Sequence, residues 1–167
     1  MIIWKNSQKQ WNYQILPKRN DLVIITGDDM DITKYPQYEL QLLTLNLLHL
    51  KSQIVPENCN ERCVNSTIIN RAYFSSYLFC ELWLDYEKQF KTMNPWEFDE
   101  DEEQISEHKQ IRNVLYNFGE KNTQSELGKL ASLRRKADYE PFIDITPTEV
   151  QDAITHMEKI FNNLTFQ

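Results

Sequence analysis

The chain has 167 residues, of which 41% are apolar and 12% aromatic; this is one domain's worth of sequence, with enough apolar material for a core and too much for a disordered chain. No run of about 18 apolar residues occurs, so no membrane-spanning helix is expected, and the segment after Met1 turns polar within five residues, unlike a signal peptide. The net charge of −7 is local: seven of the 25 acids (Glu97, Asp99, Glu100, Asp101, Glu102, Glu103, Glu107) crowd one segment, and the remaining acids balance the 18 bases, which argues against a generic coat for phosphate backbones.

Residues 1–35 do not read as helix. Asp21–Thr26 is a short β-branched run followed by the turn residues Gly27-Asp28-Asp29, and Ile2, Ile3, Trp4, Trp11 and Tyr13 are candidates for an opposing strand. A small β-hairpin or irregular cap is expected there. A first helix is predicted over about 36–54, with leucines around nearly its whole circumference, and Pro56 and Asn58 end it. A helix of that kind is buried on most sides, in the core or across a dimer interface. A second, long helix is predicted over 61–89, with Ile68, Ala72, Phe79, Trp83 and Tyr86 as its core face.

Residues 94–106 form an acidic, proline-containing loop, read as a solvated surface. A third helix follows over about 104–118, with Gly119 placed to end it. Thr123 and Glu126 have the spacing of a capping box and predict the start of a fourth helix there. The strongest signal is Thr146-Pro147-Thr148-Glu149, which combines a cap, a proline at the first helical position and a returning glutamate. Val150, Ala153, Ile154, Met157, Ile160, Phe161 and Leu164 then keep the helical period. The expected fold is all-α, an up-and-down bundle of about five helices over 36–167 behind a cap over 1–35.

Cys59, Cys63 and Cys80 are an odd set, which suits a reducing cytoplasm. Cys59 and Cys63 are one helical turn apart, but no second Cys/His pair follows at a useful distance. No metal and no cofactor are expected.

Two segments are more specific than a generic bundle: Asn70-Arg-Ala-Tyr-Phe-Ser-Ser-Tyr-Leu-Phe79, and Leu133-Arg-Arg-Lys-Ala-Asp-Tyr139. Between them lie Glu107-His108 and Asn117-Phe118-Gly119. Their order resembles a subgroup of the HEPN superfamily, in which an Arg-Ala-Tyr-Tyr helix precedes a histidine that opens the next helix and a Leu-Arg-x-x-Ala-Asp-Tyr segment. The resemblance covers about residues 38–165. It implies a helical bundle that dimerises. It also implies an association with RNA or nucleotides, in toxin–antitoxin or antiphage settings, where many members are metal-independent endoribonucleases.

Those enzymes carry an arginine, four to six residues, and a histidine. The arginine offers a fork of donors to phosphate, and the histidine moves the proton of a ribose hydroxyl. Two helical turns of spacing put both on one face. Here the arginine is Arg71, and the position due for the histidine holds Leu78. Leucine cannot transfer a proton, so the expected role is binding of RNA, a nucleotide or a partner protein. A divergent endoribonuclease would draw on Arg71 with Tyr77 or His108, and a structural subunit of a larger complex is the third reading.

Arg71, Arg134 and Arg135 are the candidates for RNA or phosphate contact. Arg134, Asp138 and Tyr139 are read as a network inside the fold, with Asp138 paired to an arginine. His108 is read first as a helix-start residue meeting Glu107 or Glu103. Ser75, Ser76 and Tyr77 supply hydroxyls near Arg71, although tyrosine, with an ordinary pKa of about 10, is a poor base at neutral pH.

Overall fold

The computed structural model describes the backbone of two N-terminal strands, together with residues 36–54, 60–92 and 106–166. Strand β1 (Ile3–Ser7) pairs antiparallel with β2 (Gln10–Gln14), Trp4 opposite Tyr13 and Lys5 opposite Asn12. The described hairpin is thus formed by Ile3–Ser7 and Gln10–Gln14. The Asp21–Thr26 run, the Gly27–Asp29 turn, Pro56, Asn58, Cys59 and all of the acidic segment before Ser106 lie outside the described residues.

Five helices follow: α1 (Pro36–Ile54), α2 (Glu61–Lys88), α3 (Glu107–Asn117), α4 (Lys121–Tyr139) and α5 (Pro147–Asn163). The protein is an all-α bundle organised about α2, which packs against each of the other four helices. Asn60 caps α2 by accepting from the Arg62 amide at 2.9 Å. From there Ile68, Ile69, Ala72, Phe79, Cys80, Trp83 and Leu84 are removed from water. Each large apolar side chain so buried contributes about 1.5–3 kcal/mol.

Small hydroxyl residues let α5 approach α2 closely. Ser75 and Ser76 are fully buried and both donate to the Ala72 carbonyl, and Ser75 also contacts Met157 Sδ at 3.3 Å. Phe79 stacks on Phe161 at 4.1 Å, and Tyr38 meets both rings edge-on at 5.8 Å, which ties α1 into the same core. At the far end, Trp83 Nε1 donates to the Thr165 carbonyl at 2.9 Å.

The ends of the helices follow their local chemistry. Gly119, at φ +90°, ends α3, with the Glu120 amide returning to the Leu115 carbonyl. Thr146 and Glu149 form the full capping box of α5 behind Pro147. The predicted box at Thr123 and Glu126 is not a cap. The fourth helix starts earlier, at Lys121 with Glu120 before it, and both residues are buried within it. The Glu126 carboxylate instead reaches α5, 2.5 Å from His156 Nδ1, with Lys129 Nζ at 2.6 Å and Lys159 Nζ at 3.7 Å.

Within the single chain the first helix is not buried on most sides. It packs chiefly on α2 and buries Gln37, Gln41 and Thr44, while Leu43 and Leu50 stay exposed and the other described leucines are half-buried. No helix of the described residues is long and apolar enough to cross a membrane.

Candidate functional site

The sequence-singled residues gather on the side of α2 that faces α3 and α4. Here the helical repeat brings Asn70, Tyr73, Phe74 and Tyr77 onto one strip, three and four residues apart. From α3, His108 lies over this strip. Its ring is 4.4 Å from Tyr77, 5.6 Å from Tyr73 and 6.5 Å from Phe74, and its Nδ1 is 2.9 Å from the Tyr73 hydroxyl. The hydrogen-bond partner of His108 among the described residues is thus a tyrosine 35 residues upstream; Glu107 acts on the ring through its charge, and Glu103 lies outside the described residues. Burial pushes the His108 pKa below its ordinary value, and the Arg134 and Arg112 charges push the same way against the Glu107 carboxylate.

From α4, Arg134 covers the other edge of the strip. Its guanidinium lies 5.8 Å from the Tyr73 ring, 5.6 Å from Phe74 and 5.3 Å from Tyr139. Its Nε is 2.6 Å from Asp138 Oδ2, one turn along α4, and Asn70 donates to both Asp138 oxygens at 3.1 Å. The structure thus joins Arg134, Asp138 and Tyr139, and adds Asn70 to them. The pair is not enclosed, however: the two side chains keep 24% and 22% of their exposure, and Tyr139 keeps 67%. A network inside the fold is therefore corrected to one at its rim.

Arg71 is exposed and lines an open groove of about 410 Å³ with Ser66, Thr67, Asn70 and Asp138. Among the described residues no carboxylate lies within ion-pair distance of Arg71 or of Arg135, which is also exposed. The groove's end is held rigid by Arg62, which donates to the carbonyls of Ala137, Glu140 and Ile143 and so satisfies the terminus of α4.

The hydroxyls expected beside Arg71 are not there. Ser75 and Ser76 face the core. Tyr77, six residues on, points round the helix to His108 and is 6% exposed. Burial, then the Glu81 and Glu107 charges, push its pKa well above the ordinary tyrosine value. Leu78 is half-buried against the core. No contact among the described residues joins Tyr77 or His108 to Arg71; the groove beside Arg71 holds the donors of Ser66, Thr67 and Asn70 together with the Asp138 carboxylate, which Asn70 and Arg134 already engage.

Two participants were not singled out in the sequence: Tyr73, although it lies in the Asn70–Phe79 segment, and Arg112. Tyr73 is one residue of a helical stripe, and only the tertiary fold gives it His108. Arg112 is one turn after His108 on α3, and its Nη1 is 3.9 Å from where a side chain at Gly128 would begin. An arginine at the i+4 position from a histidine opening a helix was the one available clue. Among the described residues no group of three or more His, Cys, Asp or Glu side chains is placed to hold a metal. No family model, curated protein or solved structure matches the chain.

Proposed function

We propose that the protein is a HEPN-like binding protein for RNA or a nucleotide, of a prokaryotic defence or toxin–antitoxin type, without the ribonuclease activity of the standard arginine–histidine pair. The observation that carries this reading is the isolation of Arg71. Arg71 is exposed at a groove and, among the described residues, makes no ion pair, the groove's Asp138 being paired with Arg134, while Leu78 occupies the position where the proton-transfer group would stand. Arg135 is exposed as well and makes no ion pair among the described residues, which leaves it a further donor fork for phosphate. The rival use of Arg71 with Tyr77 loses support, because Tyr77 is buried, holds its proton tightly and faces away. Self-association belongs to the same proposal, and the exposed Leu43 and Leu50 of α1 favour it.

The test uses the purified chain with fluorescent single-stranded RNA and mixed transfer and messenger RNA in EDTA. Binding that weakens about tenfold in Arg71→Ala, as expected for losing a charged hydrogen-bonding group, with no cleavage above that of the variant, supports the proposal. Cleavage that disappears in Arg71→Ala overturns the binding-only reading, and the absence of any RNA affinity at tens of micromolar overturns the RNA reading.

A further inference from the structure

We propose that His108, Arg112 and Arg134 form a seat for the phosphate oxyanion of a nucleotide, built around an imidazole fixed in one tautomer. The inference rests on the nucleotide side of the reading above, and it concerns a place distinct from the Arg71 groove.

The first step is the hydroxyl of Tyr73. Tyr73 is 4% exposed, and among the described residues its hydroxyl has one polar neighbour, His108 Nδ1 at 2.9 Å. A buried hydroxyl must spend its proton on an acceptor. If Nδ1 carried the hydrogen and donated to the tyrosine oxygen, the tyrosine proton would have no acceptor among those residues. Tyr73 therefore donates to Nδ1, and the imidazole hydrogen sits on Nε2. Burial keeps the proton on Tyr73, raising its pKa despite the nearby Arg112 and Arg134 charges. The consequence is a ring that offers Nε2–H outward as a donor, with no partner for it among the described residues.

The second step is the pair of guanidinia. Arg112 follows His108 by one turn on α3, so both project from one face of that helix. It lies against α4 where Gly128 carries no side chain, and among the described residues no carboxylate reaches it. Arg134 approaches from α4. Asp138 engages it through Nε, and Asn70 holds Asp138, which leaves its two terminal nitrogens unassigned among the described residues. The titratable groups facing the imidazole are Tyr73 and Tyr77 from α2, Glu107 and Arg112 from α3 and Arg134 from α4. Among the described residues Asp138 already pairs with Arg134 and Glu107 faces the imidazole, so what the site offers is a set of hydrogen-bond donors, the His108 Nε2–H and the guanidinium nitrogens of Arg112 and Arg134, the complement of a phosphate group.

The third step is the ring beside it. Tyr139 lies 5.3 Å from the Arg134 guanidinium and is 67% exposed. It gives an aromatic surface next to the charged seat, on which a base can stack. This favours a nucleotide over free phosphate.

The experiment titrates inorganic phosphate, adenosine monophosphate and adenosine into the full chain, reading the His108 ring nitrogens by NMR. Expected are an Nε2–H tautomer before ligand, and His108 shifts with phosphate and, at lower concentration, with adenosine monophosphate. Adenosine alone should bind more weakly. Arg112→Gln should lose about tenfold or more in affinity for the monophosphate, and Lys91→Gln, at an exposed cation elsewhere, should lose little. Arg112→Lys keeps the charge without the fork and should fall between; thermal melts confirm that the variants fold.

An Nδ1–H tautomer, no response of His108 at tens of millimolar, or equal losses in Arg112→Gln and Lys91→Gln would each overturn the seat. RNA binding that ignores Arg112→Gln overturns the seat while the RNA reading stands. Nucleotide binding through Arg112 in a protein without RNA affinity does the reverse.

Discussion

Glu126→Gln separates two readings of one residue. In a capping box, glutamine serves as well as glutamate at the third position, so the substitution would be nearly silent. In the structure Glu126 is 9% exposed on α4 and its carboxylate joins His156, Lys129 and Lys159. Glutamine removes the charge and puts a donor where donors already converge. Lys129 and Lys159 are half-exposed and return to water at little cost, whereas His156 keeps only 17% of its side-chain exposure and loses its partner. Stranding a fully buried charge costs about 3–5 kcal/mol, but His156 is not fully enclosed, so a loss of about 2 kcal/mol is expected, in the range of hydrogen bonds to charged groups. For a chain of this length that lowers the melting temperature by roughly 4–8 °C, and urea unfolding should show a lower midpoint with an unchanged slope.

The pH dependence has a definite sign. Burial alone would raise the Glu126 pKa, but hydrogen bonds from Lys129 and His156 and their charges outweigh it and hold the carboxyl below its ordinary value. A carboxyl depressed in the folded state contributes stability that is full above its unfolded pKa and lost as pH falls through the folded one. The gap between the natural chain and Glu126→Gln should therefore be widest near neutrality and close in acid, below the ordinary carboxylate range. Equal midpoints at pH 7, or a gap unchanged from pH 7 to pH 3, would refute the clasp between α4 and α5.

Asp138→Ala is expected to cost about 1 kcal/mol, since its pair with Arg134 remains partly exposed, and not the amount due to an enclosed ion pair. Arg71→Ala, at an exposed site, should cost less than that; differential scanning calorimetry of the two variants ranks them. Gly119→Ala meets no atom within 4 Å, yet φ +90° disfavours any side chain. A loss of about 1 kcal/mol or somewhat more, seen as a lower unfolding midpoint, is expected from backbone conformation alone.

What was legible in the chain was local. The cap and period of α5 are written in consecutive residues, as is Gly119 at the end of α3. The i,i+4 pair Arg134–Asp138 needs nothing but a helix to form. The start of α4 was misread because a buried polar face repeats at the same three-residue interval as a capping box. Thr123 and Glu126 are neighbours on a helix face turned inward. The leucines of α1 did not mark the face that is covered within the single chain, where the buried positions are Gln37, Gln41 and Thr44 while Leu43 and Leu50 are exposed. The meeting of Tyr73 with His108, and of Arg112 with the gap at Gly128, depends on how α3 settles between two other helices. No spacing along the chain encodes it.

The way α1 is attached has a consequence for how the protein opens. Its packing is chiefly to α2, with Tyr38 as its tie to Phe161, while α2, α4 and α5 share large mutual interfaces. Amide protection follows such differences in shared burial. Hydrogen exchange that is faster in α1 than in α2, α4 and α5 would show that helix lifting away as a unit while the other three stay folded. Such an excursion would uncover the edges of Phe79 and Phe161 that Tyr38 covers.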